Sequence, residues 1–143
     1  MLHNLAFGTG MIAATVVVHM VGLMMVTSLT QRVTRGLGLE RRHAHMLAMV
    51  LVALGIFAVL GVEIWMWVGA YLALGLFPDL DTALYFSITT FCTLGYGDVV
   101  PPAEWRVFAA LEGVNGFLMI GWSTAYLIAA GIRIGPFKPG EHF

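Results

Sequence analysis

The sequence is poor in charge. Lys, Arg, Asp and Glu make up 10% of its 143 residues, against 59% hydrophobic residues, where a soluble domain carries about 25% charged residues. Formal net charge is −1, so no basic surface for nucleic acid is on offer. A single cysteine, Cys92, excludes an internal disulfide and a multi-cysteine metal site. There is no Ser/His/Asp set, no HExxH and no phosphate loop, so no enzyme activity and no cofactor are expected.

What the chain has instead is long apolar runs. Residues 5–29 carry no formal charge, 46–77 carry only Glu63, and 103–134 carry Glu104, Arg106, Glu112 and Arg133. About 20 mostly apolar residues cross the roughly 30 Å hydrocarbon core of a bilayer, and a chain this short cannot bury three such runs in a soluble core. The first run lacks the basic start and clean small-residue cleavage site of a signal peptide, and the polar face of a surface-lying helix. It reads as a retained transmembrane helix.

Orientation follows from the arginines, which favour the cytoplasmic side of short loops. Arg32, Arg35, Arg41 and Arg42 fall between the first two runs and Arg133 and Lys138 at the far end, whereas the segment between runs two and three is acidic. This predicts an outer N-terminus and a cytoplasmic C-terminus, with Trp65, Trp67, Tyr71 and Trp105 in an outer aromatic belt. The four arginines are positive-inside anchors that also suit anionic lipid head groups.

Between runs two and three stands LFPDLDTALYFSITTFCTLGYGDVVPPAEW. Pro78 is expected to end the second helix, and Asp79 or Asp81 to cap a short helix. After that helix the chain turns extended at TLGYGD, and Pro101 and Pro102 open the third. Non-helical backbone at membrane depth must be buried in protein or line a watery cavity. Glycine at every second position, Gly95 and Gly97, lets successive carbonyls point one way, and a row of carbonyls can replace a cation's water shell.

TLGYGD closely resembles the potassium-channel signature T-V-G-Y-G-D, and the likeness extends over residues 46–134. ALYFS resembles the opening of the pore helix in small bacterial potassium channels. Thr90, Thr93, Pro101, Trp105, Gly116 and Gly121 fall where that family has matching residues. The resemblance implies K+ as permeant ion, held by the carbonyls of Thr93, Leu94, Gly95 and Tyr96 and the Thr93 hydroxyl, with Gly97 completing the loop. It also implies a homotetramer, Tyr96 braced against Tyr85 and Phe86, and a hinge at Gly116. Leu94 replaces the usual valine. Thr89 stands where some members have a glutamate that bonds the signature aspartate, so Asp98 is expected to lack that partner.

Several residues leave alternatives open. Glu63 and Glu112 are ionisable residues within spans. One or both pack behind the filter against Asp98, Arg106 or pore-helix hydroxyls, or they snorkel or stay neutral against backbone. Asn115 cross-links helices or faces the pore. The glycines at 113, 116 and 121 serve close packing or bending. Ile120 and Thr124 are placed below the filter, lining the cavity. His19, His43 and His45 read as interfacial or solvated, with proton sensing by the latter two open.

The expectation is therefore an all-α membrane protein with three transmembrane helices, a re-entrant pore helix and a selectivity filter, in the tetrameric potassium-channel pore fold. The N-terminal helix spans 1–30, a basic cytoplasmic loop 31–45, and the pore domain 46–134. Within the pore domain the pore helix is 81–92, the filter 93–98 and the inner helix 103–134, and a short tail follows at 135–143. The function expected is passive, potassium-selective conduction in a plasma membrane of bacterial inner-membrane type. The competing classes are a weakly selective cation channel and a non-conducting accessory or transporter subunit.

Overall fold

A computed structural model describes residues 2–36 and 41–134. The described residues form α1 (Leu2–Gly36), α2 (Arg41–Ala73), α3 (Leu80–Phe91) and α4 (Arg106–Ile134), the last preceded by a 3-10 turn at Ala103–Trp105. Among the described residues there is no strand. Three helical stretches, Leu2–Gly36, His43–Ala73 and Ala103–Arg133, are long and apolar enough to cross a membrane. At 1.5 Å per residue the 35 residues of α1 reach about 52 Å, well beyond the hydrocarbon thickness.

The helices run further than composition alone marks them. α1 continues to Gly36 and α2 opens at Arg41, so most of the segment expected as a loop over 31–45 is helical. Arg32 and Arg35 are exposed on α1. Residues 37–40, the tail 135–143 and the side chains of Arg41 and Arg42 lie outside the described residues. Helix α2 ends before Pro78. Gly75 takes a left-handed φ of 65°, and the Leu76 N–H donates to the Tyr71 carbonyl at 3.0 Å. This is a Schellman-type end, closed by a glycine that tolerates the conformation.

Helix α1 is built inside out. Its buried residues are Asn4, Gly8, Thr15, His19, Leu23, Val26 and Thr30, a single stripe at steps of three, four and seven. Its exposed residues include Leu5, Phe7, Val17, Met20, Met24, Met25 and Leu29. Lipid solvates apolar side chains as well as protein does, so small and polar residues make the helix contacts. Asn4 Nδ2 donates to the Glu104 carbonyl at 2.6 Å, Thr15 to Asn115 Oδ1 at 3.1 Å, and the Thr27 and Tyr126 hydroxyls are 2.6 Å apart. These three points place α1 and α4 side by side and parallel.

Against α2 the stripe packs antiparallel through two glycine–valine contacts. A Cβ on Gly22 would lie 2.6 Å from Val59 Cγ2, and one on Gly55 would lie 2.6 Å from Val26 Cγ2. Between these contacts and the α4 seam, His19 Nδ1 meets Glu63 Oε1 at 2.8 Å, both side chains fully buried. Ser123 of α4 stands 3.5 Å from His19 Nε2, and the Trp122 ring tilts over the imidazole at 5.1 Å. His19, expected at an interface or in water, is thus an interior residue where α1, α2 and α4 meet. Asn115 makes the helix cross-link.

Removing one partner of this buried hydrogen bond leaves the other's polar atom without partner or solvent, which costs about 1–3 kcal/mol, above the ~0.6 kcal/mol average of a neutral interhelical hydrogen bond in a membrane. Glu63→Leu and His19→Phe should therefore each destabilise the helix assembly by about 2 kcal/mol. The double variant should lose clearly less than their sum. Equilibrium unfolding in mixed micelles checks both statements, and strict additivity would refute the pairing.

Candidate functional site

The site begins with the capping of α3. Asp79, extended at φ −149°, accepts from the Thr82 N–H at 2.8 Å and from the Thr82 hydroxyl at 2.9 Å. These bonds, the backbone one first, hold its carboxyl below the usual carboxylate range. Asp79 and Asp81 put negative charge at the positive end of the helix dipole. The helix stops at Phe91.

At its other end α3 passes its free carbonyls to the segment that follows. A helix leaves its last carbonyls without intrahelical partners. The Thr90 carbonyl accepts the Thr93 N–H at 2.9 Å, and the Thr89 carbonyl accepts the N–H of Leu94 at 2.8 Å and of Gly95 at 3.0 Å. The chain reverses tightly on these bonds. Thr93, Gly95 and Gly97 have φ of 59°, 54° and 78°, while Leu94 and Tyr96 are not left-handed. A left-handed φ is uncommon for any side chain and a marked outlier for a β-branched one. Such strain, of order 1–3 kcal/mol, persists only where surroundings impose it, and it concentrates at functional sites.

The described chain leaves this segment open. Thr93, Leu94, Gly95, Tyr96 and Gly97 are all exposed. Tyr96, expected to brace against Tyr85 and Phe86, is 67% exposed. Phe86 instead turns toward α2, its ring 5.4 Å from Tyr71 and 4.8 Å from Phe77. Asp98 does find a partner: the Tyr85 hydroxyl donates to its Oδ2 at 2.7 Å. The partner is a tyrosine and not a glutamate at position 89, and the bond is the main reason the Asp98 carboxyl sits below its ordinary range.

Behind α3 lies an aromatic wall. Trp67 and Tyr71 are fully buried, so only Trp65, 52% exposed, and the half-buried Trp105 remain for an outer belt. Tyr71 meets Phe77, Phe86 and Phe108 edge-on at 5.4–5.7 Å, a favoured aromatic geometry. Glu112 is buried within this wall. Its Oε1 accepts from Ser87 of α3 at 2.5 Å, and its Oε2 accepts from the Tyr71 hydroxyl of α2.

The two intramembrane acids therefore part company. Glu112 bonds a hydroxyl of α3. Glu63 faces His19 of α1 and makes no contact with the segment that follows α3. Arg106 is exposed. Thr89 is buried, its hydroxyl donating to the Phe86 carbonyl at 3.0 Å.

Gly116 of α4 meets the α3 C-terminus so closely that a Cβ would collide with the Phe91 backbone carbonyl, whereas Gly121 has open space. Gly116 is thus a point of close approach. Thr124 is exposed and donates to the Ile120 carbonyl at 2.9 Å. Among the described residues no cluster of three or more His, Cys, Asp or Glu is arranged for a metal.

Reasoning from sequence offered hydroxyls of the short helix to the acids without singling out Ser87, and it missed Tyr71 as partner of Glu112, Tyr85 as partner of Asp98, and His19 as partner of Glu63. The last had a signal. Each is the lone Asp, Glu, His, Lys or Arg of its apolar run, and such residues tend to pair.

The Tyr85 bond predicts a pH response. Its carboxylate-stabilising effect is present above the unfolded aspartate pKa, about 3.9, and is lost as pH falls through the lower folded value. Residues 93–98 should therefore be unchanged between pH 7 and 5 and loosen only in stronger acid. In Tyr85→Phe the Asp98 carboxyl should titrate at higher pH than in the parent. Carboxyl carbon NMR reads this directly, and an unmoved titration would show that the bond is not made in solution.

The family described as "Ion channel" matches residues 45–133. The two-pore potassium channel 5 of Arabidopsis thaliana is 38% identical over 56 residues, covering 38% of this chain and 12% of that protein. The voltage-gated potassium channel Kch of Escherichia coli is 38% identical over 69 residues, covering 46% of this chain and 16% of that protein. The chain thus matches well under a fifth of the length of either relative. No solved structure matches significantly. The match spans α2, the capped short helix, the left-handed segment and α4, the region in which the potassium-channel likeness was read, and leaves α1 outside it. This all-helical, multi-pass membrane chain belongs to the ion channel family.

Proposed function

We propose that the protein is a potassium-selective channel subunit. In this reading four copies surround an axis, and the carbonyls of Thr93, Leu94, Gly95 and Tyr96 with the Thr93 hydroxyl replace the hydration of K+. The observation that carries the reading is the alternating backbone hand at Thr93, Gly95 and Gly97, with the Leu94 and Gly95 N–H groups bonded back to Thr89. Alternating left- and right-handed residues put N–H groups on one side of an extended strand and carbonyls on the other. With the N–H groups of Thr93, Leu94 and Gly95 tied to α3, the carbonyls opposite them are left to serve a cation.

Exposure of the segment and of Val114, Phe117 and Leu118 on α4 supports a ring of copies that covers them. An apolar surface of this kind on the helix next to the filter segment suits neighbouring subunits. The C-terminus of α3 directs its dipole toward the space below the segment, favouring a cation there. Conduction is passive, and no chemical step is involved. Arg32, Arg35 and Arg133 mark the end remote from the filter segment as cytoplasmic by the positive-inside rule, with anionic lipid at the α1 arginines.

Flux from liposomes containing only this protein tests the reading. K+ efflux should be fast and blocked by Ba2+, with Na+ efflux near background. Equal K+ and Na+ rates would replace it with a weakly selective pore, and no flux at any pH or voltage with a non-conducting subunit. Gly97→Ala forces a side chain into a left-handed residue at about 1–2 kcal/mol and should abolish the K+ preference.

A further inference from the structure

The last turns of α3 rest on a single turn of α4. Ser87 donates to Glu112 Oε1 at 2.5 Å. Four residues along on both helices, the Phe91 backbone lies against Gly116, leaving no room for a Cβ. Between them a Cβ on Gly113 would stand 3.5 Å from the Thr90 carbonyl. Residues four apart share one helix face, one above the other, so the two contacts meet turn for turn. One contact alone would leave α3 free to slide or roll; two, a turn apart, fix its height and its rotation. The third element joins through Glu112 Oε2, which accepts the Tyr71 hydroxyl of α2.

A side chain with two oxygens suits this place. The Ser87 and Tyr71 hydroxyls both point into an apolar, aromatic interior, Ser87 and Tyr71 being fully buried. Each donor left unmatched there would carry a desolvation penalty. The one carboxyl group meets each hydroxyl with a separate oxygen. The other intramembrane acid, Glu63, is engaged with His19, and Arg106 is exposed, so the brace runs through Glu112.

We infer that Glu112 is a positioning residue for the filter segment: bridging Ser87 and Tyr71, it holds α3 at the height from which the Thr89 carbonyl binds the N–H groups of Leu94 and Gly95. Ser87 lies two residues before Thr89. A slip of α3 along α4 therefore moves the acceptor on which the left-handed segment hangs. Glu112 touches no ion; it acts through α3. The inference rests on the reading that residues 93–96 conduct K+, and it adds an element to it, an acid on the neighbouring spanning helix that sets the ligand geometry from behind.

The test uses the full chain in lipid with Glu112→Gln, Ser87→Ala and their double variant. Two quantities are measured: hydrogen exchange at the Leu94 and Gly95 amides, and the K+ to Na+ permeability ratio. Each single variant should speed exchange at those two amides by roughly tenfold or more, about 1.4 kcal/mol. Exchange along the α1–α2 seam should stay unchanged, and the permeability ratio should fall in step. The double variant should be no worse than the worse single variant, because both break one link. Unchanged exchange at Leu94 and Gly95 in both single variants would overturn the inference. Should Glu112→Gln fail to assemble, Ser87→Ala, which removes one oxygen, decides by the same criterion. A parent protein without K+ preference whose variants still loosen these amides would sink the conduction reading and leave the positioning role standing.

Discussion

Hydrocarbon offers no hydrogen-bond partner, so each polar group carried into a membrane must find one inside the protein. That constraint decides which face of each helix turns inward. In α1 it puts Asn4, Thr15, His19 and Thr30 in the stripe that packs and leaves Leu5, Phe7 and Met25 on the outside. In α2 and α4 it selects Glu63 and Glu112 as contact residues, each matched by groups from other helices. Association of these helices is consequently specific: a rotation of α1 about its axis would carry His19 away from Glu63 and expose both to lipid.

The same constraint explains how irregular backbone can exist beside such helices. The segment after α3 forgoes its own secondary structure, and its N–H groups need acceptors. The termination of α3 supplies them, since the carbonyls of Thr89 and Thr90 have no further helix to serve. Short-helix capping and the geometry of the left-handed segment are therefore one device. Asp79 fixes where α3 starts, its length fixes where the spare carbonyls fall, and Thr93 accepts a left-handed φ because the bonds on either side require it. Gly95 and Gly97 take the other two left-handed positions at little steric cost.

Much of this was legible in the residues themselves. Run length marked the three long helices, the aspartates at 79 and 81 marked a helix start without deciding which of them caps it, and alternate glycines marked the irregular segment. Helix ends were less legible. Composition turns polar at residue 31, yet α1 continues because arginine and glutamine are good helix formers. At the end of α2 a glycine acts before the more conspicuous proline. Side-chain partners were the least legible, because a lone acid in an apolar run announces that a partner exists without saying where. Glu112 and Ser87 are 25 residues apart and His19 and Glu63 are 44 apart, and only the way the helices stack brings them together. Trp67 and Tyr71 misled for a related reason: indole and phenol rings suit an interface and a core equally well, and here the neighbouring Phe77, Phe86 and Phe108 claim them.

The parallel seam between α1 and α4 has a mechanical corollary. It is fastened near both ends, by Asn4 to the Glu104 carbonyl and by Thr27 to Tyr126, with Thr15 and Asn115 midway. A spanning helix splinted along that length has lost the freedom to swing alone. If its far half tilts outward, the companion travels as ballast or the hydroxyl clasp at Thr27 must open. The swept volume in the bilayer is then that of two rods, and the work of displacing lipid grows accordingly.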